Sequence, residues 1–320
     1  MKAVEASGYG NVDMLELRDR EEPALPPKGV KVRVHAASIN PIDWKLRRGD
    51  LKIVSGKRPP IVPGGDFAGV VAEVSPESRY AVGTPVWGHK SALKGGAYAD
   101  VVAVQDSDLD TLPQNLSFVE AAAFPLAGLT AYQSLVHKGR LKAGQRVMVN
   151  GCSGGVGVAA VQIAKALGAH VTGVCSARNT ELADTLGCDH VVDYAVTDVA
   201  GLTDKVDVWF DAVGTQSFSA VRHQLTERGN YITTLPGMAV IAFGSLVNRF
   251  RRQGNHGILI TSSTEDLAAM RAMVEAGSLK PIIDRVYPLS EVREATTYSQ
   301  SGKVVGKVVL KLVDDEAGAG

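Results

Sequence analysis

The stretch RVMVNGCSGGVGVAAVQIAK at residues 146–165 has the order strand, tight glycine turn, helix. An aliphatic run closes at Asn150, Gly151 permits a sharp turn, and a helix-forming run follows Gly155. Ser153, Gly154, Gly155 and Val156 form a loop whose backbone N–H groups can approach a pyrophosphate, and Gly157 lets the helix pack close to the sheet. A glycine pattern alone can be a purely structural turn. Standing at the first strand of an alternating series, it points to dinucleotide binding.

That series is read outward from the loop. Strand-like segments recur at 170–174, 190–193, 206–211, 230–234 and 257–261, with helix-sized pieces between them. Six strands joined by helical crossovers predict an α/β fold, a Rossmann-type doubly wound parallel sheet over residues 121–280. Upstream, short aliphatic runs at 30–35, 70–74 and 99–104 are separated by Pro- and Gly-rich turns, which predicts a coiled, largely antiparallel β domain over residues 1–120. Ser117 with Glu120 fits a capping box that opens a helical run at 121–123; Pro125 interrupts it, and a second helical stretch covers 128–137. A further short helix is read at 44–48. After Pro281, strand-like text returns at 282–287 and 307–312 around a short amphipathic helix opening at Ser290, so residues 281–320 are expected to rejoin the first domain. Residues 314–320 are small and polar and are expected to be disordered.

The 320 residues correspond to about two domains. Lys plus Arg and Asp plus Glu both number 34, so no global field favours nucleic acid, an anionic membrane or a highly charged substrate. With 34 glycines, 45 % apolar and 6 % aromatic residues, the composition is that of an aliphatic α/β enzyme. Cys152, Cys175 and Cys188 are odd in number and lack metal-type spacing, which argues for a reducing compartment, the cytoplasm by default. The longest apolar run, around 238–247, is far short of the ~18 residues that suggest a membrane span, and no presequence pattern precedes the first strand-like segment.

The second strand of the series ends in Ser176-Ala177-Arg178, about 20 residues past the glycines, where an NAD enzyme carries an acid for the ribose 2′-hydroxyl. No acid is there. A hydroxyl and a guanidinium donate to a 2′-phosphate that a carboxylate would repel, so the pattern reads as NADP(H) rather than as an ordinary solvated strand end. Tyr194, after the third strand, either lines the same adenosine pocket or packs on the sheet edge.

At this point the chain resembles, across essentially its whole length, the zinc-independent quinone oxidoreductase and alkenal/enone oxidoreductase branch of the medium-chain dehydrogenase/reductase superfamily. The segments that carry the resemblance are ASINPIDWK at 37–45, PGGDFAG at 63–69, GGAYAD at 95–100, PLAGLTAY at 125–132, the glycine loop, and GKVVGKVVL at 302–310. The segment CSARN at 175–179 is similar to that of plant enone oxidoreductases and chloroplast quinone oxidoreductase homologues. The resemblance implies a GroES-like β-barrel catalytic domain beside the nucleotide-binding domain, an active site in the cleft between them, and a homodimer, with the strand near 257–261 as a candidate edge for pairing. It also implies that the metal ligands of zinc-dependent relatives would fall at Asn40, Gly65 and Leu126, none of which can serve as Cys or His does. No metal is expected, and each of the seven histidines is read as a surface or core residue.

The resemblance further places Asn40 towards the nicotinamide ribose and substrate, as the one candidate catalytic side chain; Asn-Pro is also a plain turn signal. Asp43 belongs to the same polar motif or caps the helix that follows. Thr130 is a candidate nicotinamide contact or a helix-packing residue. Val213, Thr234 and Leu235 fall just past strand carboxyl ends, where a cofactor crosses an open sheet. Trp44, Leu126 and Phe243 are candidate walls of a substrate pocket or simple core, and Cys152 is a small filler or an oxidisable sensor. Hydride addition to a quinone or enone delocalises charge into a phenolate or enolate and needs no Lewis acid, which agrees with the missing ligands. The expected activity is therefore NADPH-dependent reduction of a small quinone or α,β-unsaturated carbonyl. An enoyl-thioester reductase is the alternative enzyme. A nucleotide-gated RNA binder, suggested by the basic runs at 44–48 and 249–252, is the alternative class, although no nucleic acid is expected at zero net charge.

Overall fold

The computed structural model describes residues 1–52, 56, 59–237, 240, 244 and 246–313. Phe243 and the tail 314–320 lie outside the described residues. Contacts divide the chain into two compact units, Met1–Leu126 with Thr261–Glu275 and Pro281–Gly320, and Ala127–Ile260 with Ala276–Lys280.

The first unit is built on strands β1 (Lys2–Ala6), β2 (Leu15–Asp19), β3 (Gly29–Ile39), β4 (Asp66–Val74), β5 (Pro85–His89), β6 (Val101–Gln105) and β7 (Leu109–Thr111). β3 is its spine and pairs antiparallel with β4 and β6, while β5 pairs antiparallel with β4 and β7. Its N-terminal half alternates, with Val30, Val32 and Val34 buried and Arg33 exposed; from Ala36 to Ile39 every residue is buried. Period-two burial thus gives way to full burial as the chain approaches Asn40. A Cβ at Gly69 would stand 2.0 Å from Arg33 O, so the last glycine of PGGDFAG is needed for β3 and β4 to approach. Helix α1 (Pro41–Arg48) starts directly after β3, with Pro41 in its first turn and Gly49 closing it at φ +87°. Helix α2 (Phe118–Ala122) opens on the expected capping box: Ser117 N–H donates to Glu120 at 2.8 Å, and Glu120 N–H donates to Ser117 Oγ at 3.3 Å. Pro125 then opens α3 (Pro125–Tyr132), which continues as a π-helical turn over Gln133–Lys138.

In the second unit, β8 (Arg146–Asn150), β9 (His170–Cys175), β10 (His190–Asp193), β11 (Val206–Asp211), β12 (Leu225–Thr233) and β13 (Gly254–Gly257) form one parallel sheet in the order β10-β9-β8-β11-β12-β13. The order reverses between β8 and β11, the position where open α/β sheets bind ligands beyond the strand carboxyl ends. Helices α4 (Gly155–Ala166), α5 (Thr180–Thr185) and α6 (Phe218–Val221) lie in the connections. Met148, Val174, Trp209, Val221, Leu225 and Tyr231 form one buried cluster of this unit.

β4 and β12 start earlier than their sequence readings, at Asp66 and Leu225, and one strand is displaced. β13 covers 254–257, not 257–261. Its pairing residues, Gly-Asn-His-Gly, carry no β signal, but the surroundings are crowded at both glycines: a Cβ at Gly254 would lie 2.2 Å from Asn230 Oδ1, and one at Gly257 2.3 Å from Pro236 Cβ. The aliphatic run that suggested the strand comes after it, with Ile258 buried and Leu259 exposed.

The chain then closes the first unit. Helix α7 (Thr264–Glu275) groups with that unit rather than with 121–280, because Thr264 Oγ1 donates to Asp106 O and Leu109 O, and Arg271 pairs with Asp110 at 2.8 Å. β14 (Ile283–Pro288), α8 (Val292–Gln300) and β15 (Lys307–Lys311) follow, and β15 pairs antiparallel with β3 through Val308 opposite Ile39. The sheet reads β14-β15-β3-β4-β5-β7, with β6 also on β3. Among the described residues no helix is long and apolar enough to cross a membrane.

Candidate active site

The glycine turn is held from below. Gly151 turns at φ +80°, and its N–H and that of Cys152 both donate to Val174 O at the end of β9. A Cβ at Gly157 would fall 2.0 Å from Gly151 O and 2.6 Å from Cys152 Cα, so the helix can start this close only on a glycine. The first intrahelical bond runs from Val158 N–H to Gly154 O, leaving the N–H groups of Gly155, Val156 and Gly157 ahead of it without intrahelical partners. At Gly154 a Cβ would meet nothing nearer than Gly151 O at 3.7 Å, so the face of the turn is open. Open glycine backbone and helix N–H groups fit a pyrophosphate. Ser153 Oγ accepts from Asn179 Nδ2 at 2.9 Å, which ties this turn to the end of β9.

At that strand end Ser176 is half-buried and its carbonyl accepts from Asn179 N–H, while Arg178 is exposed and its side chain has no hydrogen bond or ion pair among the described residues. Asp193, the acid at the neighbouring strand end, accepts from Ala195 N–H. Tyr194 N–H donates to Cys175 O and the residue is 58 % exposed, so its position sits beside Ser176 rather than in the core.

Beyond β11 and β12 three more expected residues meet. Val213 Cγ2 occupies the space where a Gly151 side chain would project, 2.1 Å from that Cβ position, and Leu235 Cδ1 does the same at Gly214. Thr234 Oγ1 donates to Ala212 O, and Val213 and Leu235 are exposed. The loop that carries Val213 is organised by Asp211, which sequence reasoning missed. This fully buried carboxylate accepts from Asn150 Nδ2, Val213 N–H, Gly214 N–H, Gln216 N–H and the Tyr231 hydroxyl. Burial and the Asp211 charge push the Tyr231 hydroxyl above its ordinary range. Thr130 is buried on α3.

The first unit holds a buried polar centre of a different kind. Asp66, at the start of β4, is 0 % exposed and accepts at 2.8 Å from Ser38 Oγ, Asn40 Nδ2 and Leu126 N–H. His89 Nδ1 lies 2.8 Å from Oδ1, the oxygen that also accepts from Leu126 N–H; a carboxylate only accepts, so this nitrogen carries the proton. Lys307 Nζ stands 3.7 Å from Asp66 and donates to Asn40 Oδ1 and Ile39 O. Burial pushes the Asp66 carboxyl up, but the His89 hydrogen bond, the Lys307 charge and the Asn40 hydrogen bond together hold it below its ordinary value. Burial lowers the Lys307 ammonium against the opposing pull of Asp66 and Asp43.

The three positions assigned to absent zinc ligands all converge on this carboxylate. Asn40 and Leu126 bond it directly, and a Cβ at Gly65 would lie 2.6 Å from His89 Cε1, so the imidazole fills the room a side chain there would take. Among the described residues no group of three or more His, Cys, Asp or Glu could hold a metal ion.

Asn40 is 3 % exposed and engaged on every side: its backbone N–H donates to Asp43 Oδ2, its amide N–H to Asp66, and its carbonyl receives Lys307. Asp43 thus caps α1. It also accepts from the Tyr98 hydroxyl at 3.0 Å, while its Oδ1 is buried without a partner among the described residues. Burial raises its pKa to about 6 against the hydrogen bond from Asn40 N–H. Trp44 is half-buried on α1 against the core, with the Arg48 guanidinium 4.9 Å over its ring. The basic run 44–48 is no cationic face: Arg47 is 1 % exposed and Arg48 pairs with Asp50.

With this geometry in view, the comparisons are specific. Residues 26–114 match the alcohol dehydrogenase GroES-like domain family and residues 186–310 the zinc-binding dehydrogenase family. The chain is 33 % identical to the chloroplast envelope quinone oxidoreductase homolog of Arabidopsis thaliana over 97 % of this chain and 98 % of that one. It is 34 % identical to the NADPH-dependent alkenal/one oxidoreductase of the same plant, covering 97 % of this chain and 79 % of the relative. The solved quinone oxidoreductase of Coxiella burnetii superimposes with a TM-score of 0.88 at 29 % identity, over 98 % of this chain and 99 % of that one.

Proposed function

Because the chain belongs to the quinone oxidoreductase and alkenal/one oxidoreductase branch of the medium-chain dehydrogenase/reductase superfamily, we propose that it transfers a hydride from NADPH to quinones or α,β-unsaturated carbonyls. One observation carries the cofactor assignment: Ser176 and an exposed Arg178, unpaired among the described residues, stand where an NAD enzyme presents an acid. When bound, NADPH supplies the hydride, and the acceptor gathers charge on a phenolate or enolate oxygen.

The chain's own part is to bind and orient. The N–H groups of Gly155, Val156 and Gly157 hold the pyrophosphate, and the Arg178 guanidinium with the Ser176 hydroxyl holds the 2′-phosphate. Tyr194 flanks the adenosine, while Val213, Thr234 and Leu235 form the wall along which the dinucleotide lies. Asn40 and Thr130 are the proposed polar contacts of the nicotinamide ribose, with Trp44 and Leu126 as acceptor walls. Asn40 is held rigid for that role by Lys307 and Asp66. Asp66 has four donors on its two oxygens and is a positioning group, not a free base. A delocalised oxyanion needs only modest hydrogen-bond stabilisation. Zinc independence is supported by the residue types at Asn40, Gly65 and Leu126. Three free thiols support a reducing compartment, proposed as the cytoplasm, and the outer edge of β13 is the proposed seam of a homodimer, which light scattering would test.

The direct test is NADPH oxidation with 1,4-benzoquinone, 9,10-phenanthrenequinone and a medium-chain vinyl ketone. At least one acceptor is expected to reach a kcat/KM of about 10⁴ M⁻¹s⁻¹ or more. NADPH binding with no turnover of any of them, and turnover of an enoyl thioester instead, would move the activity to thioester reduction.

A further inference from the structure

Three thiols meet beneath the glycine turn. Cys152 lies in the turn, Cys175 ends β9, and Cys188 lies between α5 and β10; the first two are buried and Cys188 is partly exposed. Gly173, inside β9, records how closely they pack. A Cβ there would stand 2.6 Å from Cys188 Sγ and 2.9 Å from Cys152 Sγ, so both sulfurs press on the same face of the strand. That gives a glycine in the middle of a strand its reason.

The two sulfurs are also chemically unequal. The hydrogen bond from Cys152, helped by Lys165, lowers the Cys188 thiol below its ordinary value against burial and the charges of Asp184 and Asp189. The same contact, with burial, pushes Cys152 up. A partly exposed sulfur that ionises more readily, next to a buried thiol, pairs an attacking cysteine with a resolving one.

We propose that Cys188 and Cys152 are a peroxide-sensitive pair whose disulfide distorts the pyrophosphate turn and weakens dinucleotide binding. The Cys188 thiolate attacks one peroxide oxygen, the O–O bond breaks, and the departing hydroxide takes a proton to become water, leaving a sulfenic acid on Cys188. Cys152 sulfur then attacks the Cys188 sulfur; the S–O bond breaks, and the hydroxyl leaves with the Cys152 proton as a second water. Two thiols have been oxidised to one disulfide and one hydrogen peroxide reduced to two waters.

The turn has no slack to absorb the bond. Cys152 N–H is fixed to Val174 O, and the Cys152 Cα lies so close to α4 that position 157 has no room for a Cβ. Drawing Cys152 towards Cys188 therefore drags Gly151 and the start of α4. This inference rests on reading the turn as the pyrophosphate cradle, and its test separates the two.

The full-length protein, reduced and desalted, is treated with hydrogen peroxide; disulfides are mapped by mass spectrometry and NADPH affinity is titrated by fluorescence before, after, and after dithiothreitol. A Cys152–Cys188 linked peptide is expected, with the NADPH Kd rising about tenfold or more and recovering on reduction. Cys188→Ser is expected to bind NADPH like reduced wild type and to ignore peroxide, whereas Cys175→Ser remains sensitive. The proposal is overturned if peroxide consumes the Cys188 thiol without forming the linked peptide, if the linked protein binds NADPH unchanged, or if Cys188→Ser loses affinity as wild type does. Reduced wild type that binds no NADPH at all would strike the cofactor reading, while the peptide map would still decide the thiol pair.

Discussion

The glycine turn and the Asp66 centre are two polar constructions of this molecule that are built in opposite ways. The turn is local: most of what shapes it lies within residues 146–179, and the N–H groups of Gly155, Val156 and Gly157 have no intrahelical acceptor. The Asp66 centre is long-range, gathered from positions 38, 40, 89, 126 and 307, and its carboxylate is already saturated by the protein. A site that binds by backbone leaves its donors free, whereas a centre that positions side chains uses its donors up. Substitutions in the two should therefore divide between binding and stability.

The largest effect is expected at Asp66. Asp66→Asn leaves the buried Lys307 ammonium without its nearest counter-charge and deprives four donors of a carboxylate, so chemical denaturation should show a loss of about 3–5 kcal/mol. A loss below about 1 kcal/mol would mean the centre is not what holds β3, β4 and β15 together.

A smaller and pH-dependent effect is expected at Asp43, whose pKa is raised from 3.8 to about 6 by burial. The folded state holds this proton more tightly than the unfolded chain, so the contribution is fully present below pH 3.8 and is lost as pH rises through about 6. Stability should fall by on the order of 2–3 kcal/mol across that window. Asp43→Asn should flatten this slope in denaturation curves taken at several pH values; an unchanged slope would remove Asp43 as its source.

The turn can be dissected with two alanines. Gly157→Ala forces a Cβ to within 2.0 Å of Gly151 O and should cost about 1–3 kcal/mol in stability as well as NADPH affinity. Gly154→Ala meets only an ordinary contact with Gly151 O at 3.7 Å, at φ −81°, so apart from a modest N-cap penalty it should leave stability within about 1 kcal/mol while weakening NADPH binding about tenfold. Equal effects of the two on both quantities would break the distinction between binding and packing glycines.

The same contrast explains what the sequence made legible. The turn, the crossover series, the Ser117 capping box and the strand ends that carry Ser176, Arg178, Val213 and Leu235 are short-range patterns, and periodicity with turn chemistry finds them. β13 was misplaced because tertiary crowding by Asn230 and Pro236 selects glycines where β propensity would select aliphatics. The assignment of α7 was misled by continuity along the chain, since its anchors Asp106, Leu109 and Asp110 lie more than 150 residues away. His89 and Lys307 gave no local signal at all; a buried lysine looks like any other in sequence until its carboxylate partner is known. Asp211 carried one faint signal, an acid closing an apolar strand, where a solvated end would serve equally well. The basic run at 44–48 misled in the other direction, because Arg47 falls on the buried side of α1.

The central claim is that the end of β9 selects the 2′-phosphate, and the measurement that tests it most directly is kcat/KM for NADPH and for NADH in wild type and Arg178→Ala, with one quinone held constant. The account predicts that wild type prefers NADPH and that the substitution lowers kcat/KM for NADPH about tenfold or more while changing NADH less than about twofold. Equal losses with both cofactors, or an intact preference for NADPH without the guanidinium, would contradict it.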